Sequence, residues 1–185
     1  MDGHGDSFHV AERPDKEEPE ETVGGRMDLE ALLERILGDP NFPEGKAWRR
    51  RRLKPNQAIV REGEKGCALF YVEQGTLRVT GRVRLENAQP VRPGFCDLGP
   101  GDLFGELSLF GDGPRAATVM AVEAAQVVEL DGVRLRRHLD AHPRLGYAFL
   151  CRLYEMLAER LRRADRQLEG LIAWGLRAHG IERHL

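Results

Sequence analysis

Glu106 and Arg115, two opposite charges in one glycine-punctuated run, carry the pattern of greatest chemical content in this sequence. The run reads FGELSLFGDGPRAATV, from Phe104 to Val119. A strand ending at Leu103-Phe104 would hand over to Gly105, a residue that lets a ligand approach the backbone closely. Glu106 to Phe110 can form one helical turn, whose free N–H groups favour an anion. Arg115 follows a Gly-Asp-Gly-Pro turn, and its planar fork of donors suits two phosphate oxygens at once. Ala116 and Ala117 are small enough for their backbone amides to approach the same anion, and Glu106 can accept a hydrogen bond from a sugar hydroxyl. A Glu–Arg pair standing alone reads as a structural ion pair. The combination reads as a phosphate-and-sugar cradle, provided the surrounding chain holds it on a rigid frame.

That frame is legible from Trp48 to Leu130. Ala58 to Val60, Leu69 to Val72 and Thr76 to Val79 are rich in β-branched and aromatic residues. Val83 and Leu85, Val91, Phe95 to Leu98, Thr118 to Val122 and Gln126 to Leu130 add further short apolar segments, and glycines at 63, 66, 75, 81, 94, 99 and 101 punctuate them. Many short strands with glycine turns and no long helix between them predict a mainly β fold, an antiparallel jelly-roll-like β-barrel.

Helical spacing flanks the frame on both sides. Leu29, Leu32, Leu33, Ile36 and Leu37 predict a short amphipathic helix, with Asp28 near its start and Gly38 past its end. Asp131 predicts the cap of a helix running to His138 or Leu139, and Pro143 can open the next. In that long helix Leu150, Leu153, Leu157, Leu161, Ala164, Leu168 and Leu171 recur every three or four residues, a stripe able to cover the barrel, pair with a second copy, or both. Residues 1–26 are polar and acidic and read as a disordered tail. The expected organisation is thus a tail (1–26), one domain over 27–170 and a short C-terminal helical tail (171–185). Within the domain, 27–47 forms a helical element, 48–130 the barrel and 131–170 the C-terminal helices.

Composition narrows the function. The chain has 185 residues, 41% of them hydrophobic, and a formal charge of -2, so it can bury one core and carries no global positive field for nucleic acid. It shows no apolar run of membrane-spanning length and no signal-peptide core. Cys67, Cys96 and Cys151 are unpaired by spacing, read as small core hydrophobes, and point to a reducing cytoplasm. The six histidines all lie outside the barrel segment, which argues against a cupin metal centre. His138 and His142 stand at i, i+4, but without an evident third ligand they read as a surface pair, and no metal is expected. No GxSxG elbow, P-loop or HExxH occurs, so no catalytic residue is assigned and the chain is read as a non-enzyme. Arg49 to Arg52 read as a solvated basic edge preceding a strand.

The cassette FGELSLFGDGPRAATV resembles the phosphate-binding cassette of cyclic-nucleotide-binding domains. These occur in the catabolite activator protein, the regulatory subunit of cyclic-AMP-dependent kinase and cyclic-nucleotide-gated channels. The resemblance extends from Leu53 to Leu168 through LKPNQAIVREGEKG, LFYVEQGTLRV and LGPGDLFGE. It implies a jelly-roll-like barrel with an N-terminal helical element and two C-terminal helices. It also implies that Arg115 binds the cyclic phosphate and Glu106 the ribose 2′-hydroxyl, with Phe104, Gly105, Leu107, Ala116 and Ala117 around them. Ala164 and Asp165 fall where the bacterial activator offers hydroxyl residues to the base, so Asp165 joins the candidate ligand residues. Ala116 resembles the cyclic-AMP pattern, whereas Asp165 can also accept from guanine; cyclic AMP and cyclic GMP are both candidate ligands. Transcription factors of this kind add a DNA-binding domain after the long helix, and with Gly170 to Leu185 following it here, no DNA contact is expected. The resulting expectation is a cytoplasmic sensor or regulatory module, homodimeric through its long helix and signalling to an unknown effector. The alternative is a barrel that serves protein contacts and binds no nucleotide.

Overall fold

The computed structural model describes residues 27–81, 94–111 and 113–178. Helix α1 (Leu29–Leu37) starts where the Asp28 carboxylate accepts a hydrogen bond from the Ala31 amide, 2.8 Å away, satisfying an otherwise free donor. It buries Leu32, Leu33 and Ile36. Eight strands follow among the described residues: β1 (Trp48–Leu53), β2 (Ala58–Val60), β3 (Leu69–Gln74), β4 (Leu77–Thr80), β5 (Gly94–Leu98), β6 (Leu103–Phe104), β7 (Thr118–Ala121) and β8 (Ala125–Leu130). The chain ends its described part with helices α2 (Gly132–Ala141) and α3 (Pro143–Ala178).

The strands form two four-stranded antiparallel sheets, in the orders β1-β8-β3-β6 and β2-β7-β4-β5. This is the mainly β, helix-flanked architecture expected from the strand pattern. The candidate strands at Val83, Leu85 and Val91, like the tail of residues 1–26, lie outside the described residues.

The first sheet is covered on both faces, which explains why β3 and β8 read as continuous apolar runs. Alternate residues serve two cores. Leu69, Leu103, Val128 and Leu130 face the helices, joining Leu32, Ile36, Leu135, Leu145, Phe149 and Leu153. Phe70, Val72, Phe104 and Val127 face the second sheet, joining Val60, Leu77, Leu98 and Val119. A strand shift by one residue would exchange these sets, so the two cores fix the register.

Four local readings change. Arg49 to Arg52 lie within β1, an edge strand of the first sheet, rather than before a strand. Trp48 and Leu53 supply the buried ends, and the arginines between them pair sideways: Arg49 and Arg51 with Glu129, both at 3.0 Å, and Arg50 with Glu73 at 2.9 Å. Helix α3 runs through Gly170 to Ala178 in one piece, with no break before Leu171. An isolated glycine inside a helix costs only about 1 kcal/mol, too little to end it. His138 is a buried residue and not a surface one, because α2 turns it inward against Phe42. The three cysteines are partly exposed and not fully buried, with no disulfide among them, and Cys96 packs against the second core.

Candidate functional site

The turn after β6 depends on Gly105. Its φ is +86°, the left-handed region, and a Cβ there would stand 2.7 Å from the Ala68 carbonyl oxygen and 2.9 Å from Nη1 of Arg115. Only glycine fits both the angle and the space. A one-turn 3-10 helix, Glu106–Ser108, follows directly, and Leu109 beyond it is buried in the helical core. Leu107 and Phe110 project outward.

Arg115 is 6% exposed. Its Nη1 donates to the Gly105 carbonyl oxygen at 3.2 Å and its Nη2 to that of Ala68 at 2.9 Å. Its backbone is pinned as well: the amide donates to the Glu64 carbonyl, and the carbonyl accepts from the Gly63 amide, both at 2.9 Å. The guanidinium lies 5.7 Å from the Phe70 ring centroid, and that ring stacks on Phe104. Among the described residues no carboxylate comes within ion-pairing distance of it. Burial pulls its pKa down, opposed by nearby Cys67, Glu106, Glu129 and Glu64. A buried cation held by neutral carbonyls is costly unless a counter-charge joins it.

These residues border a cavity of about 200 Å³. One end is polar, with Arg115, Glu106 and the alanine pair Ala116-Ala117. The other is apolar, with Val60, Val79, Leu98 and Val119 from the four strands of the second sheet, β2, β4, β5 and β7. A larger depression of about 380 Å³ adjoins Trp48 and Asp131, but its Arg49 and Glu129 already neutralise each other at 3.0 Å. The smaller cavity is therefore the better candidate: it has the buried cation and a dry wall.

Phe104, Gly105, Glu106, Leu107, Arg115, Ala116 and Ala117 all border this cavity. Asp165 does not; it is exposed farther along α3. The side chain that α3 contributes instead is Arg160. Its Nη1 stands 3.2 Å from Oε1 of Glu106, and its Nη2 donates to the Leu103 carbonyl oxygen. The Glu106 side chain is 9% exposed and that of Arg160 27%, so the pair is largely shielded from water. Arg160 belongs to an arginine-rich stretch with Arg162 and Arg163, and nothing in the local sequence distinguishes it from them; only the helix phase does. Cys96 also borders the cavity, and burial raises its thiol pKa, keeping it protonated.

Among the described residues no helix is long and apolar enough to cross a membrane. Residues 50–142 match the family model of the cyclic nucleotide-binding domain. The chain is 37% identical over 123 residues to the cyclic AMP receptor protein of Thermus thermophilus, covering 64% of this chain and 52% of that one. It is 29% identical over 142 residues to a CRP-like cAMP-activated global transcriptional regulator of Mycobacterium tuberculosis, covering 77% and 55%. The chain thus spans about half the length of these curated relatives, which are regulators and not enzymes. The crystal structure of Thermus thermophilus catabolite activator protein aligns with a TM-score of 0.55 at 31% identity, over 72% of this chain and 63% of that one. A cyclic nucleotide-binding domain from Methylobacillus flagellatus aligns at 0.60 with 25% identity, over 67% and 68%. The family model spans half of the chain, and the chain belongs to the cyclic nucleotide-binding domain family.

Proposed function

We propose that this chain is a cytoplasmic sensor that holds the phosphate of a cyclic nucleotide on Arg115 and its ribose on Glu106. The observation that carries this reading is the buried Arg115 guanidinium, which is hydrogen-bonded to two carbonyls and has no carboxylate partner among the described residues. A cyclic phosphate brings the missing negative charge and two oxygens for the fork. Gly105, Glu106, Ala116 and Ala117 supply backbone around it, and the apolar walls at Val60, Val79, Leu98 and Val119 receive the sugar and base. Ala116 and the cyclic-AMP relatives favour cyclic AMP over cyclic GMP.

Output runs through α3. Arg160 already bridges this helix to Glu106, so a ligand that engages Glu106 changes what α3 is held by. A ligand shifts a helix only by its differential affinity for the two positions, and this shared carboxylate is where that difference arises. A second copy is the proposed partner. Tyr147, Leu150, Tyr154, Leu161, Leu168 and Leu171 are exposed along α3 at heptad spacing, while Leu145, Phe149 and Leu153 face the core. An apolar seam of this length is what a parallel helix pair buries.

Calorimetry with cyclic AMP, cyclic GMP and a cyclic dinucleotide tests the reading. Saturable one-to-one binding of a cyclic mononucleotide is expected, with cyclic AMP the tighter. No heat and no thermal stabilisation with any of the three at millimolar concentration would overturn it.

A further inference from the structure

We propose that Asp39, His138 and His142 form a binding site for a divalent transition-metal ion of the zinc class, joining α1 to the α2–α3 junction. The donor atoms of the three side chains lie within 4.8 Å of one another. Nε2 of His138 is 3.9 Å from Oδ2 of Asp39, and Nε2 of His142 is 3.8 Å from the same oxygen. Donors around a tetrahedral zinc with bonds of about 2.0–2.1 Å stand about 3.3 Å apart. The two carboxylate edges exceed that by about 0.5–0.6 Å, and with all three donors within 4.8 Å of one another, modest side-chain rotations bring them onto one ion.

The orientation of each donor is set by contacts outside the triangle. Nδ1 of His142 lies 2.9 Å from the His138 carbonyl oxygen, so it carries the proton and donates. That leaves the Nε2 lone pair free, the arrangement ligating histidines use. Oδ1 of Asp39 accepts from the Asn41 amide at 2.7 Å, which turns Oδ2 towards the imidazoles. His138 is fixed by the Phe42 ring, 5.2 Å away between centroids.

The second observation is an unsatisfied atom. The His138 side chain is 5% exposed, and its Nε2 is buried with no hydrogen-bond partner. Buried polar atoms are seldom left so, and this one faces the carboxylate and the second imidazole. Two imidazoles and a carboxylate select a borderline ion such as Zn²⁺ over Mg²⁺ or Ca²⁺, which require oxygen. The His142 side chain is 44% exposed, giving the ion an entry path and a solvent position for a fourth ligand.

Neither residue type nor i, i+4 spacing reveals this site, because the third donor comes from the loop after α1. An ion here ties that loop to the end of α2, the point from which α3 departs. None of the three residues borders the nucleotide cavity, so metal binding and nucleotide binding are separable.

The full chain, stripped with a chelator, is titrated with Zn²⁺ against a chromophoric competitor, and with Co²⁺ in the visible. Because His4, His9, His179 and His184 can also take metal, a His4→Ala/His9→Ala/His179→Ala/His184→Ala variant is run alongside. The expected result is one tight Zn²⁺ per chain, a visible Co²⁺ band and a raised melting temperature, all kept in that control. His142→Ala and Asp39→Asn are expected to weaken Zn²⁺ binding by about 100-fold or more, since losing a supporting partner alone costs 10–100-fold. Both should melt cooperatively without metal. Wild-type-like Zn²⁺ affinity in both variants, or no binding by the full chain below millimolar Zn²⁺, would overturn the assignment.

Discussion

Arg160 on α3 stands 3.2 Å from the Glu106 carboxylate at the edge of the cavity. The pair joins the cradle to α3 directly, so under the proposed function it links the ribose contact to the helix that carries the signal. Affinity effects of the two side chains must therefore be coupled. In a double-mutant cycle for cyclic AMP binding, Glu106→Gln and Arg160→Ala are expected to depart from additivity by about 0.5–3 kcal/mol, as contacting residues do. Titration calorimetry on the four proteins measures this, and strict additivity would separate Arg160 from the site.

Gly105 is the hinge of the cradle. Gly105→Ala places a Cβ against the Ala68 carbonyl and Arg115 Nη1 at a φ of +86°. We expect a loss of about 1–3 kcal/mol in urea unfolding, together with weaker nucleotide binding. Unchanged stability would mean that the turn relaxes freely.

How far the site could be read in the sequence follows from how local each part is. Phe104 to Ala117 build the cradle within one short stretch, so strand end, glycine, turn and arginine keep their order in space. The division into two cores was not read in the sequence, which suggested one; it comes from the pairing of the sheets, which sends Leu69 and Tyr71 of β3 to one core and Phe70 and Val72 to the other. Contacts made by α3 were not readable either. Its phase decides that Arg160 reaches Glu106 while Asp165 stays in solvent, and helical periodicity alone leaves that phase open by a residue or two. The same limit hid Asp39, which folding brings to His138 and His142 from the far side of the β region. The arginine run of β1 read as a solvated edge because its partners Glu73 and Glu129 lie on other strands.

Asp165→Ala accordingly is expected to leave cyclic AMP affinity within about twofold, whereas Arg160→Ala shifts it. Surface substitutions away from special features change free energies by about 0.5 kcal/mol or less. A loss of tenfold or more in Asp165→Ala would show that α3 turns or slides on binding, bringing this carboxylate to the base.

The exposed apolar seam of α3 gives a prediction about assembly. Light scattering of the wild-type chain should return a dimer mass, and a Leu161→Glu/Leu168→Glu variant a monomer mass. Like charges facing each other across a packed seam oppose association. A wild-type monomer at high concentration would contradict a helix-mediated dimer.

Arg115, buried and held by the carbonyls of Gly105 and Ala68, is the phosphate contact of the proposed site. Its most direct test is the cyclic AMP dissociation constant of Arg115→Ala beside that of the wild type, by calorimetry on proteins shown to melt cooperatively. Removing one partner of a buried charge-assisted contact costs about 2–5 kcal/mol, so affinity should fall by about thirty-fold or more. A dissociation constant equal to that of the wild type would place the phosphate elsewhere and contradict the site.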